Sequence, residues 1–237
     1  MGSENHLKFS LIIPCYNESA NIEKLFDEIK ILQEKINFEI IIINNGSTDN
    51  SSKVIDLNKY KLNNFNLITI KLNVGIGHAI KAGIKSSKTN LICYTHADLQ
   101  IKIQSCLDAY LIYEKTNQNN VFIKSVRKSR SYIEILFSIL MAFFNSLIFF
   151  HFFYDIHAQP NFFTKVDNEV VDKAPDNMGI DLYFYLYFKR KKYKIIRFNV
   201  NFYKRMYGKG SNDTLKQKIK YIPVSLKNSL DIFKNGI

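Results

Sequence analysis

The chain has little of what marks secreted, stapled or modular proteins. Its 237 residues include only three cysteines, Cys15, Cys93 and Cys106. These form no CxxC pair and show no metal-ligand spacing. Each lies in or beside an apolar run, so buried, reduced thiols in a reducing compartment are expected. Prolines number four and glycines nine, and nowhere do they gather into a linker. No internal repeat and no low-complexity tract breaks the sequence. The opening Met1-Gly2-Ser3-Glu4-Asn5-His6 has no apolar core, so no signal peptide is expected. His6 also stands where N-myristoylation requires Ser or Thr. Acidic residues are scarce: 21 Asp plus Glu against 33 Lys plus Arg give a net charge of +12. That excess suits an anionic partner, whether nucleic acid, an anionic membrane face or a phosphorylated substrate. The 46% hydrophobic content excludes wholesale disorder. The length allows one large domain, or one domain with an appendage.

What is present is an alternation of short apolar runs with helical patterns. Residues 8–13 read as a strand that Pro14 ends. From Ala20 onward Ile22, Leu25, Phe26, Ile29, Leu32 and Ile36 recur at three- and four-residue steps, the mark of an amphipathic helix. Residues 39–43, 67–72, 91–95 and 121–125 read as further strands, with a helix over 76–86. This order predicts an α/β fold, a mostly parallel sheet with helices on both faces. Such sheets bind ligands at the carboxyl ends of their strands.

The residues with chemistry stand there. Four segments follow strands: Pro14-Cys15-Tyr16-Asn17-Glu18, Asn44-Asn45-Gly46-Ser47-Thr48-Asp49, Asn73-Val74-Gly75-Ile76-Gly77-His78-Ala79 and His96-Ala97-Asp98-Leu99-Gln100. Singly each has a plain explanation: Asn-Gly-Ser makes turns, and a glycine pair can open a helix. In this order and spacing, with Gly83 four residues after Ala79, they resemble the family 2 glycosyltransferases of the GT-A (Rossmann-like) fold. The resemblance covers roughly residues 7–211. It implies transfer of a sugar from a nucleotide-diphosphate donor held by Pro14, Tyr16, Asn17, Glu18, Asn44, Asn45, Asp49, Gly75, Gly77, His78 and Ala97. It also implies a divalent cation, Mn2+ or Mg2+, at His96, Asp98 and Gln100, because charge gathers on the departing diphosphate.

Two departures from the family pattern bear on chemistry. His96 replaces the usual first Asp; imidazole ligates Mn2+ whereas Mg2+ prefers oxygen. Asn44 and Asn45 replace acids that usually contact the base. An amide offers an acceptor and two donors, which suits uracil, with N3–H between two carbonyls, better than guanine and so favours UDP over GDP donors. The alternative is that both Asn side chains only cap the turn.

Downstream, Ser125-Val126-Arg127-Lys128-Ser129-Arg130, Asp155-Ile156-His157-Ala158-Gln159-Pro160 and Arg205-Met206-Tyr207-Gly208-Lys209-Gly210-Ser211 resemble the polyprenyl-phosphate glycosyltransferases, including dolichyl-phosphate mannose synthases. The resemblance implies that Arg127, Arg130, Arg205 and Lys209 meet donor and acceptor phosphates; the alternative is a solvated basic surface. Asp181, opening a helical run over 182–188, is either an acid/base group or a helix cap.

Residues 133–153 are almost wholly apolar and as a helix would span about 31 Å, enough to cross a bilayer. Yet Ser131, Glu134, Ser138, Ala142 and Asn145 form one narrow stripe at helical spacing. The stripe predicts a helix docked on protein along one side and on lipid along the other; a buried core or dimer helix and a true span are the alternatives. At the C-terminus Leu215, Ile219, Ile222, Leu226, Leu230 and Phe233 form an apolar helical face ringed by Lys216, Lys218, Lys220, Lys227 and Lys234. Such helices bind anionic bilayers or pack back on their own domain, and Pro223 should kink or divide this one. The expected organisation is a catalytic domain over 7–211, with an apolar helical insertion at 131–154, and a basic amphipathic helix over 212–237. Peripheral attachment to the cytoplasmic face of a membrane follows. The apolar stretch argues against nucleic acid, and a homo-oligomer stays open.

The expected reaction is inverting transfer to a polyprenyl phosphate, whose charge removes the need for a base. A sugar-hydroxyl acceptor would need one, from Asp155 or Asp181. An inactive GT-A subunit that binds nucleotide or membrane is the third reading.

Overall fold

The computed structural model describes residues 6–208 and 214–236. Seven strands form one sheet: β1 (Ser10–Cys15), β2 (Glu39–Asn45), β3 (Phe65–Ile70), β4 (Leu91–Tyr94), β5 (Val121–Lys128), β6 (Asn161–Thr164) and β7 (Lys194–Asn201). Their order is β3-β2-β1-β4-β6-β5-β7. Only β6 runs against its neighbours β4 and β5; every other pairing is parallel. The α/β sheet expected from the apolar runs is therefore present.

The central strands β1 and β2 are buried at every position, and successive side chains enter opposite cores, as a doubly covered sheet requires. Leu11 and Ile13 of β1 join one core with Ile22, Leu25 and Phe26 of α1 (Ser19–Gln33), Ile55 of α2 (Ser51–Asn58) and Cys106 of α4 (Gln104–Glu114). Ile12 points the other way, to Ile80 and Ile84 of α3 (Ile76–Ser86), Val171 of α6 (Asn168–Lys173) and Phe184 of α7 (Ile180–Arg190). Gly83 lets α3 approach this closely, since a Cβ there would run into Ile12 and, at 3.1 Å, Ile43. All three cysteines are buried and free, as expected.

Pro14 does not close the first strand. β1 runs on to Cys15, with Pro14 opposite Ile43 of β2. Ile12 turns its carbonyl toward Thr95 on the β4 side, so Pro14, two residues on, faces that side too. The ladder with β4 stops at Ile12, and the missing N–H costs no sheet bond.

The apolar stretch forms α5 (Tyr132–Phe149), opened by a capping box between Ser131 and Glu134. Among the described residues it is the one helix long and apolar enough to cross a membrane. Its polar stripe faces protein: Ala142 and Asn145 are buried, Ser138 accepts from Arg130 at 2.7 Å, and Glu134 pairs with Lys218 at 3.1 Å. Its other side is bare, with Phe143 62% and Leu147 58% exposed. Asp155, six residues past the helix, binds Arg127, five residues before it, so the flanking segments meet.

The C-terminal helix α8 (Leu215–Asn235) packs beside α5 and is undivided at Pro223. It docks through Ser225, Asn228, Ser229 and Ile232, all buried. The apolar face picked out in the sequence is not the docking face: Ile219 and Phe233 are each 53% exposed. Both helices thus rest on the body mainly by polar or small groups and turn apolar side chains outward.

Candidate active site

Because β1 to β5 and β7 run in one direction, their carboxyl ends share one edge of the sheet. There the candidate residues gather. Between the ends of β1 and β2 the contacts are mutual. Asn17 (φ +55°) accepts from the Thr48 N–H at 2.8 Å. Asp49 accepts from the N–H groups of Ser19 at 3.1 Å and Ser51 at 2.9 Å. Burial alone would raise the Asp49 carboxyl, but these donors hold it below the usual carboxylate range. Asn17 and Asp49 therefore brace the two loops, while Tyr16 stands exposed. Asn44 caps its turn by accepting from Ser47 at 3.2 Å. Asn45 donates to Asn73 and to the Gly75 carbonyl, each at 3.1 Å. Both amides are buried; Asn44 Oδ1 and Asn45 Nδ2 are used within the protein, whereas Asn45 Oδ1 has no partner among the described residues.

The glycine-rich entry to α3 abuts the 175–177 segment. Gly75 has φ +127°, and a Cβ there would collide with the Asp176 carbonyl; one on Gly77 would strike that of Pro175. His78 N–H donates to Asp176 O at 3.0 Å, and its ring lies 3.2 Å from the Asp176 carboxylate, which Lys81 also pairs at 2.7 Å.

After β4 the chain turns through Leu99 (φ +56°). Asp98 Oδ1 accepts from the Gln100 N–H at 3.1 Å. Asp98 Oδ2 meets Arg205 at 2.9 Å, and Arg205 also reaches Glu18 at 2.9 Å. Ala97 is buried, and His96 is half-buried. Among the described residues no three His, Cys, Asp or Glu side chains gather as a metal site. The donor set nevertheless fits a divalent cation that shares its ligands with a diphosphate. It offers one carboxylate that already balances a positive charge, an imidazole and an amide oxygen. Lys209, Gly210 and Ser211 lie outside the described residues.

A second cluster surrounds two buried aspartates. Asp155 (φ +43°) accepts from the Arg127 backbone N–H at 2.9 Å and its Nε at 3.1 Å, with Arg130 at 3.5 Å. Burial would raise this carboxyl; Arg127 and Arg130 more than offset it and hold it low. Asp181 is 2% exposed. It accepts from Tyr94 OH at 2.8 Å, Asn161 Nδ2 at 3.2 Å and Gln159 Nε2 at 3.4 Å, and His157 Nδ1 lies 3.3 Å away. It too is held low, with His157, Lys124 and His96 outweighing burial. Asp181 is thus a hub in the first turn of α7 rather than a cap, since no side-chain capping bond forms there. Sequence reasoning missed Lys124, which is fully buried and bonded to Ala158 O and Asn161 Oδ1 at 3.0 Å each. Burial lowers its pKa to about 8, against the pull of Asp181 and Asp155. Its one sequence signal is a lysine inside an apolar strand.

A covered, mostly parallel sheet with polar loops and buried carboxylates along its carboxyl edge is the architecture of the GT-A glycosyltransferases. The model described as "Glycosyl transferase family 2" matches residues 10–171, and the chain belongs to that family. It is 31% identical over 138 residues to a dolichyl-phosphate β-glucosyltransferase of Dictyostelium discoideum, covering 54% of this chain and 42% of that one. With the human dolichyl-phosphate β-glucosyltransferase it shares 33% over 100 residues, 38% of this chain and 31% of the other. The matches thus span less than half of these relatives. Glucosyl-3-phosphoglycerate synthase of Mycobacterium tuberculosis, solved with Mn2+, UDP and glucosyl-3-phosphoglycerate, superposes with a TM-score of 0.66 at 15% identity, over 93% of this chain and 79% of that one. The chain thus has the family 2 sequence pattern on the fold of the GT-A enzymes.

Proposed function

We propose that the enzyme transfers a sugar from a uridine-diphosphate donor to a polyprenyl phosphate at a membrane surface, with inversion and a divalent cation. The acceptor assignment is carried by the outward apolar face of α5, which begins just past Arg130. A soluble acceptor gives no reason for it, whereas an isoprenoid tail stays in lipid while its phosphate reaches the sheet edge. The dolichyl-phosphate relatives point the same way. The three buried thiols are in keeping with the cytoplasmic side of a membrane. Residues 7–211 form the catalytic domain in this reading, and α8 adds to the lipid-facing side.

In the reaction a phosphate oxygen of the acceptor attacks the anomeric carbon from the side opposite the nucleotide. The new carbon–oxygen bond forms as the bond to the diphosphate breaks, and the nucleoside diphosphate leaves. A cation held by His96, Asp98 and Gln100 would neutralise charge on that leaving group. Arg127 and Arg130, which pair with Asp155, would orient the acceptor anion by sharing their charge with it. The acceptor arrives ionised, so no base is needed, in keeping with Asp155 and Asp181 being buried and already paired.

The second reading, a sugar-hydroxyl acceptor, is favoured by one feature. Asp181 orients His157, whose side chain is partly exposed, as a buried carboxylate orients a catalytic imidazole. His157 would then be the base.

Two measurements test the proposal. Across UDP- and GDP-sugars, turnover is expected with a uridine donor and Mn2+, and calorimetry should show UDP binding tighter than GDP. Tighter GDP binding would reject the uracil assignment. In sedimentation with anionic phospholipid vesicles the protein should pellet. Phe143→Glu combined with Leu147→Glu should weaken that association about a hundredfold or more, given about 1.5–3 kcal/mol for each of the two large apolar side chains buried. Equal pelleting of the variant would remove α5 from the membrane contact.

A further inference from the structure

Residues 202–206 cross the sheet edge where a donor must enter. The Tyr203 N–H donates to Gln100 O at 2.8 Å, and Gln100 Nε2 returns a bond to Tyr203 O at 3.2 Å. Lys24 of α1 lies 3.2 Å from the Met206 sulfur. The charged link in this strap is Arg205, which spans Glu18, after β1, and Asp98, after β4. All three side chains are largely buried, at 12–15% exposed.

Two carboxylates brought together at this depth repel each other and resist desolvation unless a cation joins them. Arg205 is that cation. It holds Asp98 Oδ2, while Asp98 Oδ1 is spent on the Gln100 N–H that shapes the turn. A metal ion seeking Asp98 therefore meets an oxygen already taken. Of the two bonds, the one to a long side chain is the easier to release than the one that fixes backbone.

We propose that Arg205 is a place-holder for the divalent cation. Its guanidinium neutralises Asp98 and Glu18 while the site is empty, then releases Asp98 to the metal and turns to the donor diphosphate. The proposal rests on the reading of Asp98 as a metal ligand. It predicts effects of opposite sign. Alone, the metal competes with a positive charge for one oxygen, so Arg205 opposes its binding. With nucleotide present, the diphosphate supplies negative charge that Arg205 stabilises, so Arg205 assists.

The test is calorimetry with Mn2+ alone, and with UDP in saturating Mn2+, on wild type, Arg205→Ala, Arg205→Gln and Asp98→Asn, each first checked for an intact melting transition. Arg205→Ala should bind Mn2+ alone about tenfold tighter and UDP about tenfold weaker, the scale of one charge-assisted contact. Arg205→Gln keeps amide donors toward both carboxylates without the charge, and should move both affinities the same way if the alanine variant does not fold. Loss of Mn2+ binding in Asp98→Asn supports the ligand assignment. If Asp98→Asn loses the metal but neither Arg205 variant binds it more tightly, the place-holder role is wrong and the metal site stands. If Asp98→Asn binds Mn2+ as wild type does, the ligand assignment falls and the place-holder with it.

Discussion

Asp98→Ala is expected to abolish metal-dependent nucleotide binding and sugar transfer while leaving the chain folded. Within the segment 96–100 it is the one carboxylate. Without it a cation would keep only an imidazole and an amide, neutral groups that do little to balance a divalent charge. The leaving diphosphate would then develop its charge without the divalent cation. Removing one preorganised electrostatic contact of this kind costs on the order of 10²–10³ in rate, and here the contact brings the whole cation. Transfer should therefore fall below detection, and UDP titration should show no dependence on Mn2+. The melting temperature should fall only modestly, because Arg205 keeps Glu18 and the Gln100–Tyr203 bonds remain. Undiminished transfer that still requires metal would place the ligand elsewhere.

Asp155→Ala is expected to act on stability instead. Its carboxylate pairs with both Arg127 and Arg130, and the Arg130 side chain is 4% exposed. Removing it leaves two guanidiniums crowded together without the carboxylate they share, a change worth about 3–5 kcal/mol for a buried pair. Urea unfolding at neutral pH should show a loss of that size. The pH dependence has a definite sign. Burial would raise the Asp155 carboxyl, but Arg127 and Arg130 hold it below its unfolded value. Its contribution is thus complete above the unfolded pKa of about 3.9 and fades as pH falls through the lower folded value. The gap between wild type and variant should narrow in acid. A constant gap would mean that Asp155 acts through packing rather than charge.

How far the sequence reaches can be seen at particular residues. α3 could be read to its ends, Ile76 and Ser86, because glycines open it and its apolar residues keep one period. The stripe Ser131, Glu134, Ser138, Ala142, Asn145 foretold which side of α5 meets protein, because period and polarity agree there. Pro14 misled, because a ladder's length on one side of a strand is a tertiary fact. On α8 the pattern showed an apolar face but not its direction, since Ser225, Asn228 and Ser229 dock in its place. β6 is four residues long, and its antiparallel placement depends on partners far along the chain. Around the site the order of motifs was legible, but the ties were not. Nothing local tells that Arg205 meets Asp98, 107 residues away, or that Lys124 supports the segment carrying His157.

The central claim, an anionic lipid acceptor, is tested most directly by transfer of labelled sugar from UDP-sugar and Mn2+ to a short-chain polyprenyl phosphate in detergent. Wild type, Arg130→Ala and Asp181→Ala are compared there, and again with free sugars and polysaccharide ends as acceptors. The account predicts a labelled lipid product with wild type. For folded Arg130→Ala it predicts a loss of about ten- to a hundredfold, the equivalent of about 1.5–3 kcal/mol for one charge-assisted contact, with donor binding changed much less. Product only on sugar hydroxyls, with Asp181→Ala inactive and Arg130→Ala active, would contradict it.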